Sequence, residues 1–206
     1  MIITDVIEVD KKRDKIYIDN EFAFVLYKGE LHLYGIEVGQ SLPANTYSTI
    51  VEEVLLKRAK LRAMNLLTKK DYTEKQLRKK LLDGYYNSNQ IDVTVQFLKE
   101  YGYIDDARYV SNYFFSNIQS KPRNKIIQKL LEKGISQELI DELVDGIYAE
   151  EAELAGVPDE MELGRALLDR KKYDISGSIK EKQKAYGYLL RKGISSDIAM
   201  KLLKEY

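Results

Sequence analysis

Few residues in this chain have the types and spacing that chemistry requires. The tightest acidic pairs are Asp105-Asp106 and Asp71 with Glu74. Paired carboxylates can hold magnesium. These four, however, stand where helices are expected to start, and there a carboxylate caps free amides and meets the positive end of the helix dipole. His32 is the lone histidine and cysteine is absent, which removes thiolate chemistry, disulfides, most zinc sites and histidine-based triads. There is no G-x-x-x-x-G-K-[ST] phosphate loop, no H-E-x-x-H and no G-x-S-x-G elbow. The sequence therefore predicts no catalytic residues, no metal site and no cofactor: a binding protein and not an enzyme.

The remaining chemistry is cationic and aromatic. Between Lys57 and Lys80, ten basic residues face only Asp71 and Glu74, a local charge of +8 in a chain whose formal net charge is zero. Lys69, Lys70, Lys75, Arg78, Lys79 and Lys80 form the densest part. Arg108, the run Lys121, Arg123, Lys125 and Lys129, and the run Arg170, Lys171 and Lys172 carry basic charge further along, the last two runs at comparable places. Such runs are either solvated helix faces or contacts for phosphates and acidic partners. Recurrence at equivalent places favours one continuous binding stripe. Arg78 and Lys79 lie off the leucine stripe, so reversing their charge is expected to spare the fold. Sixteen tyrosines allow base stacking; Tyr85, Tyr86, Tyr101, Tyr103, Tyr109 and Tyr113 gather near helix joints, where lining the core is the simpler role.

The elements that must position these residues follow from periodicity. Hydrophobic residues make up 44% of the 206 and charged residues 32%, with only 3 Pro, a folded and helix-rich composition. The start has no basic segment before a long apolar run, and no 18 apolar residues are consecutive, so no signal peptide or membrane contact is expected, and a cytoplasmic location is. Residues 1–42 read as a small antiparallel β meander: an opening strand through Val9, then Ile16–Ile18, Phe22–Leu26 and a fourth candidate, Leu31–Tyr34, with Asp19-Asn20 and Lys28–Glu30 as turns.

Helices follow. Thr49 and Glu52 have capping-box spacing and open the first; Thr73 and Gln76 form a second box. The helix behind Thr73 turns Leu77, Leu81 and Leu82 inward and stops at Gly84, read as a left-handed residue. Gly102 ends the next. The stretch Leu130-Leu131-Glu132-Lys133-Gly134-Ile135-Ser136 recurs as Leu189-Leu190-Arg191-Lys192-Gly193-Ile194-Ser195, with a fainter copy at Leu81-Leu82-Asp83-Gly84-Tyr85. Each marks a helix ending on glycine and an immediate restart. Leu189 and Leu190 are both expected inside. Residues 150–158 read as a linker or a helix extension, and Tyr173–Ser178 as a looser joint.

The expected fold class is mainly α: three tandem three-helix repeats forming an elongated curved body, preceded by the meander. The expected domains are 1–45, 46–104, 105–157 and 158–206.

Several motifs in order resemble the RecX family of regulators of the RecA recombinase. They are Ala63-x-x-Leu66-Leu67, Tyr72-Thr73-x-x-x-Leu77-x-x-x-Leu81, Gly102-Tyr103-Ile104-Asp105-Asp106-x-Arg108-Tyr109, and Pro122-x-x-x-Ile126-x-x-x-Leu130-x-x-Lys133-Gly134-Ile135. The segment Ile16–Phe24 is similar to the N-terminal extension of the Gram-positive members. The resemblance implies a non-enzymatic protein of DNA repair, recombination and the SOS response. It implies a partner, the RecA–single-stranded DNA filament, whose ATPase, strand exchange and extension it inhibits, with weak binding of single- or double-stranded DNA. A monomer suffices for that. The readings from other classes are a direct nucleic-acid binder with helix-turn-helix-like units and a general helical-repeat scaffold.

Overall fold

The computed structural model describes residues 1–154, 158–173 and 178–204. It is mostly helical, with one antiparallel sheet of order β1-β2-β3 at the start. The strands are β1 (Ile3–Asp10), β2 (Arg13–Ile18) and β3 (Glu21–Tyr27). Strict alternation in β2 decides the faces. Asp14, Ile16 and Ile18 are buried, while Arg13, Lys15 and Tyr17 lie half-buried on the other side. Asp19 and Asn20, both at positive φ (50° and 69°), make the β2–β3 turn. That is the expected use of an Asx pair in a two-residue hairpin loop.

Leu31–Tyr34 is not a strand. Lys28–Leu33 forms a short helix, α1, capped by Tyr27, whose backbone N–H donates to Glu30 Oε2 at 2.9 Å. As a strand, Leu31 and Leu33 would share a face. As a helix, Leu31 and Tyr34 meet the sheet core and Leu33 stays 71% exposed. The next helix also differs from expectation. It begins at Ala44, after Pro43 as N-cap, and Thr49 lies inside it. Helix α2 (Ala44–Ser48) runs into a π-helical segment (Thr49–Leu55) and then α3 (Leu56–Leu67). Pro43 fits the first turn because its missing N–H has no partner to lose there. The extra residue of the π segment rotates the following stripe, so Ile50, Leu55, Ala59 and Ala63 are the buried positions.

The remaining helices are α4 (Glu74–Leu82), α5 (Ser88–Glu100), α6 (Asp106–Phe115), α7 (Arg123–Glu132), α8 (Gln137–Leu154), α9 (Glu160–Lys171), α10 (Ile179–Lys192) and α11 (Ser196–Lys204). Residues 150–154 thus extend α8 as helix, while 155–157 and 174–177, where the rest of the linker and the loose third joint fall, lie outside the described residues. The box of α4 is made as its spacing predicts: Thr73 Oγ1 accepts from the Gln76 N–H at 3.2 Å and Gln76 Oε1 from the Thr73 N–H at 3.4 Å. Asp105 caps α6 by accepting from the Arg108 N–H at 3.0 Å.

The chain divides into two compact units, Met1–Ile104 and Asp105–Tyr206. In the first, one core gathers around Ile3, Phe24, Leu42 and Ile50, and another around Ala59, Leu77, Leu81 and Leu98. The second unit also holds two cores. One is built on Val110, Phe114, Ile126, Leu130 and Ile140; the other on Leu168, Leu189, Ala199 and Leu202. In each helical triplet the first and third helices pack together: α3 on α5, α6 on α8, α9 on α11. Gln90 ties the two cores of the first unit. It is buried; its Nε2 donates to the Val51 carbonyl in the π segment at 2.9 Å, and its Oε1 accepts from the Asn87 N–H at 3.1 Å. A buried amide with both ends used is worth keeping, because leaving either end unmet costs about 1–3 kcal/mol.

Candidate partner interface

The expected interface residues fall into groups with different surroundings. On α4, Lys75 and Lys79 are exposed, four residues apart, on the face opposite buried Leu77 and Leu81. Lys80 is exposed at the flank. Lys69 and Lys70 are exposed in the turn before the helix, Lys70 with its Nζ 4.6 Å from the ring centre of Tyr72. Arg78 is different. Its Nε meets Glu74 Oε1 at 2.7 Å and its Nη1 meets Asp92 Oδ1 at 2.6 Å, while Lys99 Nζ holds the other Glu74 oxygen at 2.9 Å. Partial burial opposes ionisation of Glu74, but the hydrogen bonds from Lys99 and Arg78 outweigh it and hold the carboxyl below its usual range. Arg78 therefore braces α4 against α5. Reversing its charge would set it beside Glu74 and Asp92, so the expectation that this substitution spares the fold is corrected.

The second unit sorts the same way. Lys121 binds Asn117 and sits 5.8 Å from the ring centre of Tyr113. Lys129 pairs with Glu132 at 2.5 Å. Arg108 is exposed on the first turn of α6, and Arg123 half-buried at the start of α7. Lys125 reaches the next triplet: its Nζ donates to the Arg191 carbonyl at the end of α10 at 3.3 Å and to Gln128 Oε1 at 2.7 Å. Arg170, Lys171 and Lys172 are exposed at the end of α9, where Lys172 closes the helix at φ 53°. A basic last turn complements the helix dipole.

The leucine pairs are split. Leu81, Leu130 and Leu189 are fully buried, but Leu82, Leu131 and Leu190 are 63%, 40% and 40% exposed, against the expectation for Leu82 and Leu190. Neighbours in a helix point about 100° apart, so a doublet at its edge cannot put both members in a narrow core. The glycines differ too. Gly134 and Gly193 are left-handed as expected (φ 92° and 94°), but Gly84 is not; Tyr85 is, at φ 68°. The hydrogen bonds show the alignment. Tyr85, Gly134 and Gly193 each donate N–H to the second leucine of the pair, at 2.9, 2.9 and 3.0 Å. In the first triplet the glycine therefore comes one position early and a tyrosine occupies the left-handed place.

Sequence reasoning missed one grouping. The outer face of the sheet, the stripe of α3 and the α4–α5 joint enclose a groove of about 640 Å³. Arg13, Lys57, Arg58, Arg62 and Lys69 line it, with Tyr27, Tyr85 and Tyr86, and no carboxylate does. Arg58, Arg62 and Lys69 recur at near-helical intervals inside the basic run, which was a legible signal; Arg13, Tyr27 and Tyr85 join them only through tertiary structure. Burial pushes the Tyr86 phenol up, against the pull of the Arg58 and Arg62 guanidiniums.

Family models match along the chain in order: the first three-helix domain of RecX over residues 59–98, the second over 105–144 and the third over 159–203. The chain belongs to the RecX family. A protein of Caldanaerobacter subterraneus named regulatory protein RecX is 31% identical over 98% of each chain, and one of Clostridium acetobutylicum with the same name is 30% identical over 98% of this chain and 95% of its own. Among solved structures, a regulatory protein RecX superposes with a TM-score of 0.60 at 24% identity, covering 100% of this chain and 99% of its own. RecX from Lactobacillus salivarius gives 0.52 at 22% identity, covering 73% and 95%. These structures share the fold. Among the described residues no helix is long and apolar enough to cross a membrane, and no cluster of His, Asp and Glu could hold a metal ion.

Proposed function

We propose that this RecX-family regulatory protein acts by binding the RecA–single-stranded DNA filament and inhibiting its ATPase, strand exchange and extension. It works as a monomer in the cytoplasm, in DNA repair, recombination and the SOS response, without catalysis of its own. The observation that carries the reading is the ordered set of three RecX three-helix domains. The contact surface is assigned to the basic residues with no carboxylate partner among the described residues: Lys69, Lys70, Lys75, Lys79 and Lys80 in the first triplet, and Arg170, Lys171 and Lys172 in the third. They offer charge to DNA phosphates and acidic protein surface, while Arg78 and Lys125 tie helices together and Lys129 is paired with Glu132 on its own helix. The test is RecA ATPase on single-stranded DNA with substoichiometric protein. A fall in rate with loss of filament supports the proposal; an unchanged rate under conditions where the protein is bound refutes it. Binding to naked DNA that is tight and steeply salt-dependent, without effect on RecA, would establish a direct nucleic-acid binder instead.

A further inference from the structure

The groove of the first unit shows three features that packing does not require. Its lining holds five cationic residues and no acidic ones. Arg13 and Arg58 are answered from outside the lining, by Asp10 at 2.7 Å and Glu30 at 2.5 Å, whereas Lys57, Arg62 and Lys69 have no ion pair among the described residues. Next, Arg62 Nε is packed against Gly84 with no hydrogen-bond partner among the described residues. Arg62 as a whole is only half-buried and lines the groove, and a partly desolvated guanidinium with no carboxylate beside it gains from an anion. Gly84 keeps the space for that guanidinium, since a Cβ there would lie 3.0 Å from Arg62 Nε and 3.0 Å from Tyr86 Cε2.

Finally, Tyr85 occupies the left-handed position at which the other two joints carry glycine. A bulky residue at positive φ is strained, and such strain gathers at functional sites. Its ring lines the groove, with Lys15 Nζ 4.6 Å from the ring centre and the Phe22 ring 6.3 Å away. Tyr27, 43% exposed, flanks the other side.

Cations without counter-ions select an anion; aromatic rings beside them select a flat π-system. The volume falls within the range of a small-molecule pocket and exceeds what a bare phosphate fills. We propose that this groove binds a nucleotide, its phosphate held by Arg62, Lys57 and Lys69 and its base stacked against Tyr85. The same chemistry is offered by a free mononucleotide and by a nucleotide unit of a single strand. The site shares Lys69 with the proposed filament contact but otherwise uses different residues, and it does not rest on the RecA reading.

The experiment is titration calorimetry of the full chain, without RecA, against ATP, a twelve-residue oligothymidylate and inorganic pyrophosphate. Arg62→Gln should weaken nucleotide binding about tenfold. Tyr85→Gly should weaken it about five- to tenfold while raising the thermal midpoint, because glycine relieves the strained φ. A loss of binding with a gain in stability separates a ligand contact from a folding defect. Lys11→Gln, on the exposed β1–β2 turn, should change affinity less than twofold. Binding of ATP with these responses establishes a free-nucleotide site; the same responses with the oligonucleotide alone establish a site for a strand. Three results overturn the proposal: affinity unchanged within twofold in Arg62→Gln and Tyr85→Gly, an equal loss in Lys11→Gln, or pyrophosphate bound as tightly as ATP with no effect of Tyr85→Gly. None of them bears on RecA inhibition, which is measured separately.

Discussion

Replacing Gly193 by alanine tests the joint of the third triplet against its neighbour. Two constraints meet at this residue. Its φ of +94° is one that side-chain-bearing residues rarely adopt, costing about 1–2 kcal/mol. A Cβ would also lie 2.9 Å from the backbone nitrogen of Lys125, 3.2 Å from its Cα and 2.8 Å from its Cβ. The nitrogen and Cα are backbone atoms in the first turn of α7 and the Cβ is fixed to them, so none can swing aside as a side-chain end can. Overpacking of that kind adds about 1–3 kcal/mol, for a total of about 2–5 kcal/mol. Gly102→Ala supplies the reference. Its φ is +67° and nothing lies within 4 Å of the added carbon, so only the conformational cost of about 1–2 kcal/mol applies. Urea unfolding of the full chain by circular dichroism reads the difference. Hydrogen exchange should show lost protection in α7, α10 and α11 and none within residues 1–104. Equal destabilisation by the two substitutions would refute the tight approach of Lys125 to this glycine.

Gln90→Met should cost about 1–3 kcal/mol, since it removes the buried amide that bonds the Val51 carbonyl and the Asn87 N–H; unfolding that matches wild type would mean water replaces the amide. Glu74 has a depressed pKa, so the stability it contributes is full above the unfolded carboxylate pKa and is lost as pH falls through the folded value. Wild type should therefore lose more stability between pH 6 and pH 3 than Glu74→Gln, in parallel denaturant titrations; identical pH profiles would remove the Arg78–Glu74–Lys99 network as a factor. Lys75→Glu with Lys79→Glu should weaken RecA-filament binding about tenfold with an unchanged midpoint of unfolding, measured by filament co-sedimentation and circular dichroism. Unaltered binding would take this face of α4 out of the interface.

Local chemistry was enough to read much of this molecule. The Thr73/Gln76 box, the Asp105 cap, Pro122 before α7 and the left-handed Gly102, Gly134 and Gly193 are short-range devices, and the chain uses each as its type dictates. The repeat was legible because the same leucine-glycine-isoleucine corner closes both later triplets. So were the basic residues, though not which of them are free: Arg78 and Lys125 are engaged by Asp92 and Arg191, 14 and 66 residues away. Sequence alone determined that the chain is a series of short helices behind a small sheet, with a cationic stretch. Tertiary structure alone decided that Leu31–Tyr34 turns into helix, that Leu82 and Leu190 face solvent, and that Gly84 makes room for Arg62 while Tyr85 takes the strained turn. The physical reason is range. A cap or a turn is settled within four residues, whereas burial, ion pairing and the closing of a groove depend on what the rest of the chain brings alongside.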